Sequence, residues 1–360
     1  MFNNLHVHTA QGSLLDSILK VDELVSFAKK NGQAAIAVTD HGSMSNFVNL
    51  VKECRKQGIK PIIGNEIYEV DDMAEKADTK EYTQPRYHLV LLAATQEGFH
   101  NLIKITSISR TDGLYKKPRI DIDYIYKNKL GKGIVCLTAC QAGRLSRYLV
   151  SEREDEALKF VNKLKDTFDY VACELQSHNT ESQYESNKLI YNFAVKYNLP
   201  YTVTTDAHML TSELRESHSV FVKIGEGREI GESYVDCYLQ TEEEIYEKLQ
   251  NNLPKDIIKK AIEETNKIVS MIENIDIGLN RGNVMPKVHI DDAFKDHKEY
   301  LRYLVFNTFD EKFGHMTKEE QDVRRKRLET ELPVLYAVDY TDYFIMLYML
   351  AKEAEKEKFR

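Results

Sequence analysis

The chain has 360 residues, of which 42% are hydrophobic and 29% are charged, and its formal net charge at pH 7 is −8. This composition is ordinary for a soluble globular protein, and no segment approaches the roughly 18 consecutive apolar residues that a membrane-spanning helix needs. The negative net charge argues against a protein that coats nucleic acid by bulk electrostatic attraction, because contacts with phosphate backbones depend on Lys and Arg.

From the first residue to about residue 210, short β-rich segments alternate with amphipathic helical segments, which predicts β/α units and a largely parallel sheet. The predicted strands are 5–8, 35–39, 61–68, 88–94, 134–138, 170–175 and 201–205. Polar residues lie in or just beyond the C-terminal part of several of these strands, where β/α barrels assemble active sites. We therefore expect an α/β fold built on a β/α barrel, in preference to a doubly wound sheet.

After about residue 211 the alternation stops, and helical patterns continue towards the end of the chain. Helices are predicted at 242–250, 255–273, 298–313, 318–331 and 340–358. The segment 278–289 contains two glycines and a proline and is the predicted linker. We expect a barrel domain over residues 1–210, a helical extension and linker over 211–285, and a smaller helical segment over 286–360.

His6 and His8 lie two residues apart on the first predicted strand, so both imidazoles point to the same side and can reach one cation. Alone this pattern is weak evidence for a metal site. A His-x-His sequence also arises by chance, as two partly exposed histidines near a terminus.

Further potential ligands follow other predicted strands. Asp40 and His41 end the second strand, Glu66 lies on the third, and Asp206 and His208 follow the seventh. A buried charge at such a position is costly unless a partner or a metal ion compensates it. The combination favours a metal site over a set of buried structural histidines.

The roles of other polar residues remain open from the strand pattern alone. Cys140 follows the fifth strand, where a free cysteine is commonly a small buried hydrophobic residue, although zinc accepts a thiolate. His88 begins its strand instead of ending it, and its spacing indicates a structural residue. Glu174 and His178, near the end of the sixth strand, are interpreted as ordinary residues that could border the site.

Seven segments together carry a family resemblance: LHVHTAQGSLLD, AIAVTDHGSM, KPIIGNEIY, YHLVLLA, LTACQAG, ELQSHN and TVTTDAH. In order and separation they resemble the motifs of the PHP (polymerase and histidinol phosphatase) domain, found at the N-terminus of bacterial DNA polymerase III alpha subunits. The resemblance covers about the first 210 residues with specific motifs. It implies a distorted seven-stranded β/α barrel, in agreement with the number of predicted strands.

The resemblance also implies a trinuclear metal site, and this chain has an acceptable ligand at each of the family's positions. The three implied ligand sets are His6, His8, Glu66 and Asp206; Glu66, His88 and Cys140; and Asp16, His41 and His208. Asp16 enters this set through the resemblance alone. Two to three divalent ions are expected there, and zinc, manganese and iron all suit these ligands.

The implied reaction is metal-dependent phosphoester hydrolysis, and for an alpha subunit it is 3′ to 5′ exonucleolytic cleavage of single-stranded DNA. Glu66, Asp206 and His208 are the expected catalytic residues. Asp40 is expected either to hydrogen-bond a ligand or to cap the following turn. The segment RLETELPVLYAVDYTDYFIMLYMLAKEA resembles, more weakly, the start of a polymerase palm, so DNA synthesis by these 360 residues is not expected.

A basic, tyrosine-containing segment at residues 104–132 is a candidate for guiding a DNA strand by charge and stacking. Lys116, Lys117 and Arg119 are its predicted DNA contacts, although a solvated basic surface explains the same residues. Other replisome subunits are further expected partners, and no membrane association is expected. The odd number of cysteines and the lack of a signal-peptide pattern predict a cytoplasmic protein.

Two other functions fit the same motifs. One is a small-molecule phosphatase resembling histidinol phosphatase, against which the helical extension counts. The other is a metal-stabilised structural module of a polymerase, in which bound ions contribute folding free energy. A catalytic site needs an open coordination position and turnover, whereas a structural site is closed and inert.

Overall fold

The structure, a computed structural model, describes residues 1–76, 84–226, 236–279 and 285–357. The chain divides into two compact units, Met1–Ile277 and Gly278–Arg360. The first unit contains the barrel segment together with the described helices up to residue 271, which the sequence predicts as a separate extension. The predicted linker lies at the start of the second unit, and its residues 280–284 fall outside the described part of the chain.

Seven strands form one mixed sheet in the described part of the first unit. They are β1 (Ala35–Val38), β2 (Lys60–Val70), β3 (Tyr87–Ala93), β4 (Arg119–Asp121), β5 (Ile134–Leu137), β6 (Tyr170–Gln176) and β7 (Tyr201–Thr204). Their order is β1-β2-β3-β5-β6-β7, and β4 pairs with β2. The pairs are parallel except those of β3, which runs antiparallel to β2 and β5. The reversal of β3 differs from the predicted, largely parallel sheet.

The N-terminal segment joins the two ends of the sheet. On one side Thr39 N donates a hydrogen bond to Val7 O at 2.8 Å, and on the other His8 N donates to Ala207 O at 2.8 Å. The segment predicted as the first strand therefore lies between β1 and β7, where it forms an isolated bridge. The regular strand missing from the prediction is β4, whose three residues are too few to show alternation. The curled sheet and its helices confirm the predicted barrel-type α/β fold.

Helices cover the sheet of the first unit. They are α1 (Val21–Lys30), α2 (Phe47–Gln57), α3 (Gln96–Thr111), α4 (Ile122–Lys127), α5 (Arg144–Val150), α6 (Glu154–Thr167), α7 (Glu181–Lys196), α8 (Arg215–Glu226), α9 (Glu242–Leu249) and α10 (Lys255–Met271). In α1, Leu24, Val25 and Ala28 form the buried face. Gly32 follows with φ +67°, a conformation that glycine adopts without strain and that ends a helix.

α9 and α10 share a hydrophobic core with the sheet. Leu175 of β6 and Val203 of β7 belong to the same buried cluster as Ile245, Ile258 and Ile262 of the two helices. Full burial of a side chain of this size contributes about 1.5–3 kcal/mol. These helices are therefore part of the barrel's own core.

The second unit is helical and has its own small core. Its helices are α11 (His297–Asn307), α12 (Phe309–Phe313), α13 (Lys318–Ala337) and α14 (Thr341–Lys356). Its buried cluster consists of Leu301, Leu304, Leu332 and Ile345. A capping box of Thr317 and Glu320 begins α13.

No single helix in the described part of the chain is long and apolar enough to cross a membrane. The helices α13 and α14, bent by 114° relative to each other, pass the test of length and composition only as a pair.

Candidate metal centre

The predicted ligands meet at one rim of the barrel. His6 and His8 come from the closing N-terminal segment, His41 follows β1, Cys140 follows β5, and Asp206 follows β7. Parallel strands bring their carboxyl ends to the same edge of a sheet, so these positions converge.

His88 reaches the same rim for the opposite reason. It is the second residue of β3, and because β3 runs antiparallel to β2, its beginning lies beside the C-terminal half of β2. The isolated bridge between His88 and Gly143 joins it to the loop that carries Cys140. The rule that ligands end strands fails here because it assumes a parallel strand.

The Glu66 carboxylate lies at the centre of the cluster and contacts imidazoles on both of its oxygens. Oε1 lies 3.3 Å from His6 Nε2 and 3.1 Å from His88 Nδ1. Oε2 lies 2.6 Å from His41 Nδ1 and 3.5 Å from His8 Nε2. One carboxylate thus touches four imidazoles, which is the arrangement required of a ligand shared between ions.

Two further carboxylates flank Glu66. Asp206 Oδ1 lies 3.3 Å from His6 Nε2 and 3.1 Å from His8 Nε2. Asp16 Oδ2 lies 2.9 Å from His41 Nε2 and 3.5 Å from His208 Nε2.

Cys140 completes the set, with its Sγ 3.7 Å from His88 Nδ1. The structure therefore brings together every residue of the three implied ligand sets.

Three groups of side chains have ligand atoms close enough to one another, within 4.8 Å, to hold an ion. These groups are His8, His41 and His208; His6, His8 and Asp206; and His41, Glu66 and His88. The second group lies within the first implied ligand set. The other two cross the implied sets, because His8 and His41 each lie between neighbouring positions.

The carboxylate oxygens of this cluster suit a cation. Both oxygens of Glu66, Oδ1 of Asp206 and Oδ1 of Asp16 are buried without a well-aligned hydrogen-bond partner among the described residues. A buried carboxylate in that state costs several kcal/mol unless another charge compensates it. Imidazole, carboxylate and thiolate groups together match the donor preferences of zinc, iron and manganese.

Without an ion, protonated imidazoles compensate the carboxylates. Burial opposes ionisation of Glu66, but the charges of His88, His6 and His41 hold its pKa well below the usual range. Burial likewise opposes protonation of His6, yet Asp206, Glu174 and Glu66 raise its pKa well above the usual value. The cluster is thus a network of opposite charges in which a metal ion would compete with protons for the same atoms.

His8 differs from the protonated imidazoles around it, because its pKa is lowered and not raised. Burial and the neighbouring charges of His41 and His208 lower its pKa to about 3. His8 is therefore a neutral imidazole at physiological pH, the form that binds a metal.

Hydrogen bonds behind the imidazoles orient them towards the centre. Glu174 Oε1 lies 2.7 Å from His6 Nδ1, and Ser13 Oγ lies 3.0 Å from His8 Nδ1. With Nδ1 occupied, both rings present Nε2 to the cluster, as metal-binding histidines commonly do. The sequence pattern does not predict a role for Ser13, and it indicates Glu174 only as a residue that could border the site. The signal for Glu174 was a charged residue in the middle of the buried strand YVACELQ.

Asp40 supports the centre indirectly. Its carboxylate accepts hydrogen bonds from Thr9 N at 2.6 Å and from Ser13 Oγ at 3.0 Å. Ser13 in turn contacts the predicted ligand His8, so Asp40 reaches His8 through Ser13. Burial raises the pKa of Asp40 to about 6, although the bonds from Thr9 and Ser13 favour its charged form.

The predicted DNA contacts divide into two kinds. Lys116 and Lys117 are exposed, and Lys117 Nζ lies 5.6 Å from the ring centroid of Tyr68, which neighbours His41. Arg119 is only 2% exposed, and its guanidinium donates to the backbone carbonyls of three residues. The acceptors are Gly113 O, Glu75 O and Met73 O. Its assignment as a DNA contact is therefore wrong, because the guanidinium is used inside the fold.

A cleft of about 250 Å³ opens beside the centre. Its walls are His41, His88, Cys140, Gln141, Ala142, Arg147, Gln176, His178, Gln183, Asp206, His208 and Cys237. Several predicted ligands therefore face a space that a small anionic group can enter.

The sequence that carries this geometry matches a known protein family. The family model described as "PHP domain" matches residues 4–178, which include His6, His8, Glu66, His88 and Cys140. Residues 4–178 form a PHP domain.

Relatives that match nearly the whole chain carry the name DNA polymerase III subunit alpha. The protein from Borreliella burgdorferi is 31% identical over 361 residues, covering 98% of this chain and 30% of the relative. The protein from Aquifex aeolicus is 30% identical over 370 residues, covering 99% of this chain and 31% of the relative. The chain thus spans about a third of the length of these relatives.

Among solved structures, the PHP domain chain is similar to an amidohydrolase from Chromobacterium violaceum with bound sulfate and no metal. That similarity has a TM-score of 0.39 at 14% identity and covers 58% of this chain and 88% of the other. A Bifidobacterium adolescentis protein described as a metal-dependent phosphoesterase gives a TM-score of 0.37 at 15% identity, covering 71% and 97%.

Proposed function

We propose that the PHP domain is a metal-dependent phosphodiesterase that removes nucleotides from the 3′ end of single-stranded DNA. The observation that carries this proposal is the Glu66 carboxylate, which is buried and touches four imidazoles, and for which the described residues supply no aligned hydrogen-bond donor to either oxygen. Such a group is costly as a purely structural element and useful as a ligand shared between cations.

The proposed ligands are those of the three implied sets, and they would hold two to three divalent ions, with zinc, manganese and iron as candidates. Divalent ions held there supply positive charge that polarises a phosphoryl group and activates water as a nucleophile. Glu66 and Asp206 provide the anionic ligands that place this charge, and His208 completes the proposed catalytic residues. Glu174 and Ser13 keep His6 and His8 in the orientation that exposes Nε2.

The choice of DNA as substrate rests on the relatives, whose name is DNA polymerase III subunit alpha. We propose that the chain acts with DNA and with other subunits of a replication complex, in the cytoplasm. The cleft supports a catalytic centre over a closed structural site, because several proposed ligands face it.

The test is cleavage of a 5′-labelled single-stranded oligonucleotide by the metal-reconstituted chain, with products resolved by length. The proposal predicts a ladder that shortens from the 3′ end and is absent for the double variant Asp206→Asn, His208→Ala. A matched control, His100→Ala with Asp112→Asn, makes the same kinds of change at exposed positions and should retain the ladder.

Elemental analysis of the same samples separates the alternatives. Bound manganese, zinc or iron without any shortening of the oligonucleotide would overturn the exonuclease proposal. Turnover of a small phosphomonoester in those samples would instead indicate a small-molecule phosphatase, and its absence would indicate a structural metal module.

A further inference from the structure

Two arginines one helical turn apart at the start of α5 have opposite surroundings. Arg144 is buried, and its guanidinium donates to Glu69 at 2.8 and 2.9 Å and lies 2.7 Å from Asp71. Its charge is fully compensated inside the fold. Arg147 is exposed, and among the described residues no carboxylate lies within 4 Å of its guanidinium.

Arg147 is nonetheless held in place beside the metal centre. Its guanidinium carbon lies 5.6 Å from the ring centroid of Tyr87, the residue that precedes His88. The guanidinium of Arg144 packs on the same ring at 4.1 Å. A cation–π contact with an aromatic ring restricts an arginine side chain and leaves its N–H groups available.

The cleft gives Arg147 a specific neighbourhood. Arg147 lines it together with the proposed ligands His88 and Asp206, and among the described residues that line the cleft it is the one Lys or Arg. Gln141 and Gln183 line the same space and add neutral amide groups. An uncompensated guanidinium in such a cleft suits a phosphate, whose oxygens it can bind in pairs.

The size of the cleft restricts what can enter. Its volume of about 250 Å³ lies below the roughly 300–1,000 Å³ of typical small-molecule sites. The space inside it therefore suits about one nucleotide unit at a strand end. The cations proposed for the centre already compensate the reacting phosphate, so Arg147 is available for a second one.

We propose that Arg147 forms a separate phosphate subsite, which binds the phosphate on the 5′ side of the one that reacts. The inference rests on the proposed function and makes it more specific. The substrate class is a single strand end with at least two consecutive phosphates, in contrast to phosphomonoesters and to dinucleotides with a single internal phosphate.

Two thymidine dinucleotides test this subsite directly, one with a 5′-phosphate and one without it. The wild-type chain should hydrolyse the phosphorylated dinucleotide with the lower KM. Arg147→Gln should raise that KM by about tenfold to hundredfold, the usual range for a charged hydrogen bond, and leave the KM of the other dinucleotide unchanged. Arg147→Lys should recover part of the difference, because it keeps the charge and loses the paired geometry.

Arg55→Gln on α2 is the control, since Arg55 is exposed and lies outside the cleft. Metal content and melting temperature should be the same in all four proteins. An equal rise in KM for both dinucleotides in Arg147→Gln would place Arg147 on the reacting phosphate and overturn the second subsite.

A binding measurement separates this inference from the proposed function. Equilibrium dialysis of both labelled dinucleotides against the metal-free chain, under chelator, excludes hydrolysis. The wild type should retain more of the phosphorylated dinucleotide, and Arg147→Gln should abolish that preference. Equal retention of the two dinucleotides by the wild type would overturn the subsite, whereas absent cleavage with an intact preference would overturn only the exonuclease proposal.

Discussion

Two buried glutamates on β2, three residues apart, show how partners decide what a buried charge does. Glu69 accepts two hydrogen bonds from Arg144, so its charge is compensated and it links β2 to α5. Glu66 touches imidazoles, and in the part of the chain that the structure describes neither of its oxygens has an aligned hydrogen-bond donor. At similar depth, Glu69 thus has a permanently charged partner with aligned hydrogen bonds, whereas the charge of Glu66 is compensated by imidazoles that can lose their protons. We interpret Glu69 as structural and Glu66 as a metal ligand.

The difference between Glu66 and Glu69 is tested most severely by the same substitution at both positions. Glu66→Gln should lower oligonucleotide cleavage by at least about a thousandfold, with loss of bound metal, because the amide removes the charge that the cations need. Glu69→Gln should keep metal and activity, since it leaves the ligands in place. Steady-state cleavage rates and elemental analysis check both variants. Equal loss of activity in the two folded variants would contradict the division.

Removing the partner of Glu69 should affect stability and not chemistry. Arg144→Ala leaves a buried carboxylate without its counter-charge, which costs about 3–5 kcal/mol of unfolding free energy. Urea denaturation of the metal-free chain measures this cost. Arg147→Ala is the matched control and should change the free energy of unfolding by less than about 0.5 kcal/mol. A small effect at Arg144 would mean that the ion pair is not needed for the fold.

Glu174 is a third buried carboxylate, and it differs from Glu69 because its partner, His6, is a proposed metal ligand. Glu174→Gln should weaken metal binding by about tenfold to hundredfold, since an amide orients the His6 ring less firmly and makes it less basic. Calorimetric metal titration measures the change, with Glu185→Gln on the exposed face of α7 as the control. An unchanged affinity would show that His6 is oriented without Glu174.

These residues also show what the sequence could and could not predict. The convergence of residues that follow parallel strands, such as His41 and Asp206, was predicted from strand ends, because strand direction alone determines the rim at which they lie. His88 needed the family resemblance, since the reversal of β3 leaves no mark on the strand's own residues. Arg119 was misplaced, because a basic segment looks the same whether its side chains face solvent or cap backbone carbonyls. Side-chain partners depend on tertiary packing, which residue spacing does not encode.

Proton competition gives a pH dependence with a definite sign. Neighbouring carboxylates outweigh burial and raise the pKa values of His6, His41 and His208 above 6.5 in the metal-free chain. Stability from these protonated imidazoles is fully present below pH 6.5 and is lost as pH rises through the raised values. Glu66 and Asp206 have lowered pKa values, so their contribution is present above their ordinary values and is lost at lower pH.

Metal binding should follow the opposite trend to that of the imidazoles. Above pH 6.5 its apparent affinity should rise by up to about tenfold per pH unit for each proton displaced. Calorimetry in buffers of different ionisation enthalpy counts the released protons, and thermal unfolding under chelator follows the stability. Metal binding without proton release at pH 6.5 would contradict the competition.

The smallest expected effect concerns the exposed lysines. Charge reversal at Lys116 and Lys117 should raise the KM for an oligonucleotide a few-fold at low salt, because exposed charges act over about a Debye length. The KM for a small phosphodiester should stay unchanged. Unchanged kinetics with both substrates would remove these lysines from the DNA path.

Stepwise metal loading is the decisive test of a metal-dependent catalytic centre at Glu66. Metal-free chain is titrated with manganese, zinc or iron, and bound metal and cleavage of the 5′-labelled oligonucleotide are measured at each step. We predict that cleavage from the 3′ end appears as two to three ions bind per chain, and that Glu66→Gln neither binds them fully nor cleaves. Saturation with two to three ions of every metal without any cleavage would contradict a catalytic centre at Glu66.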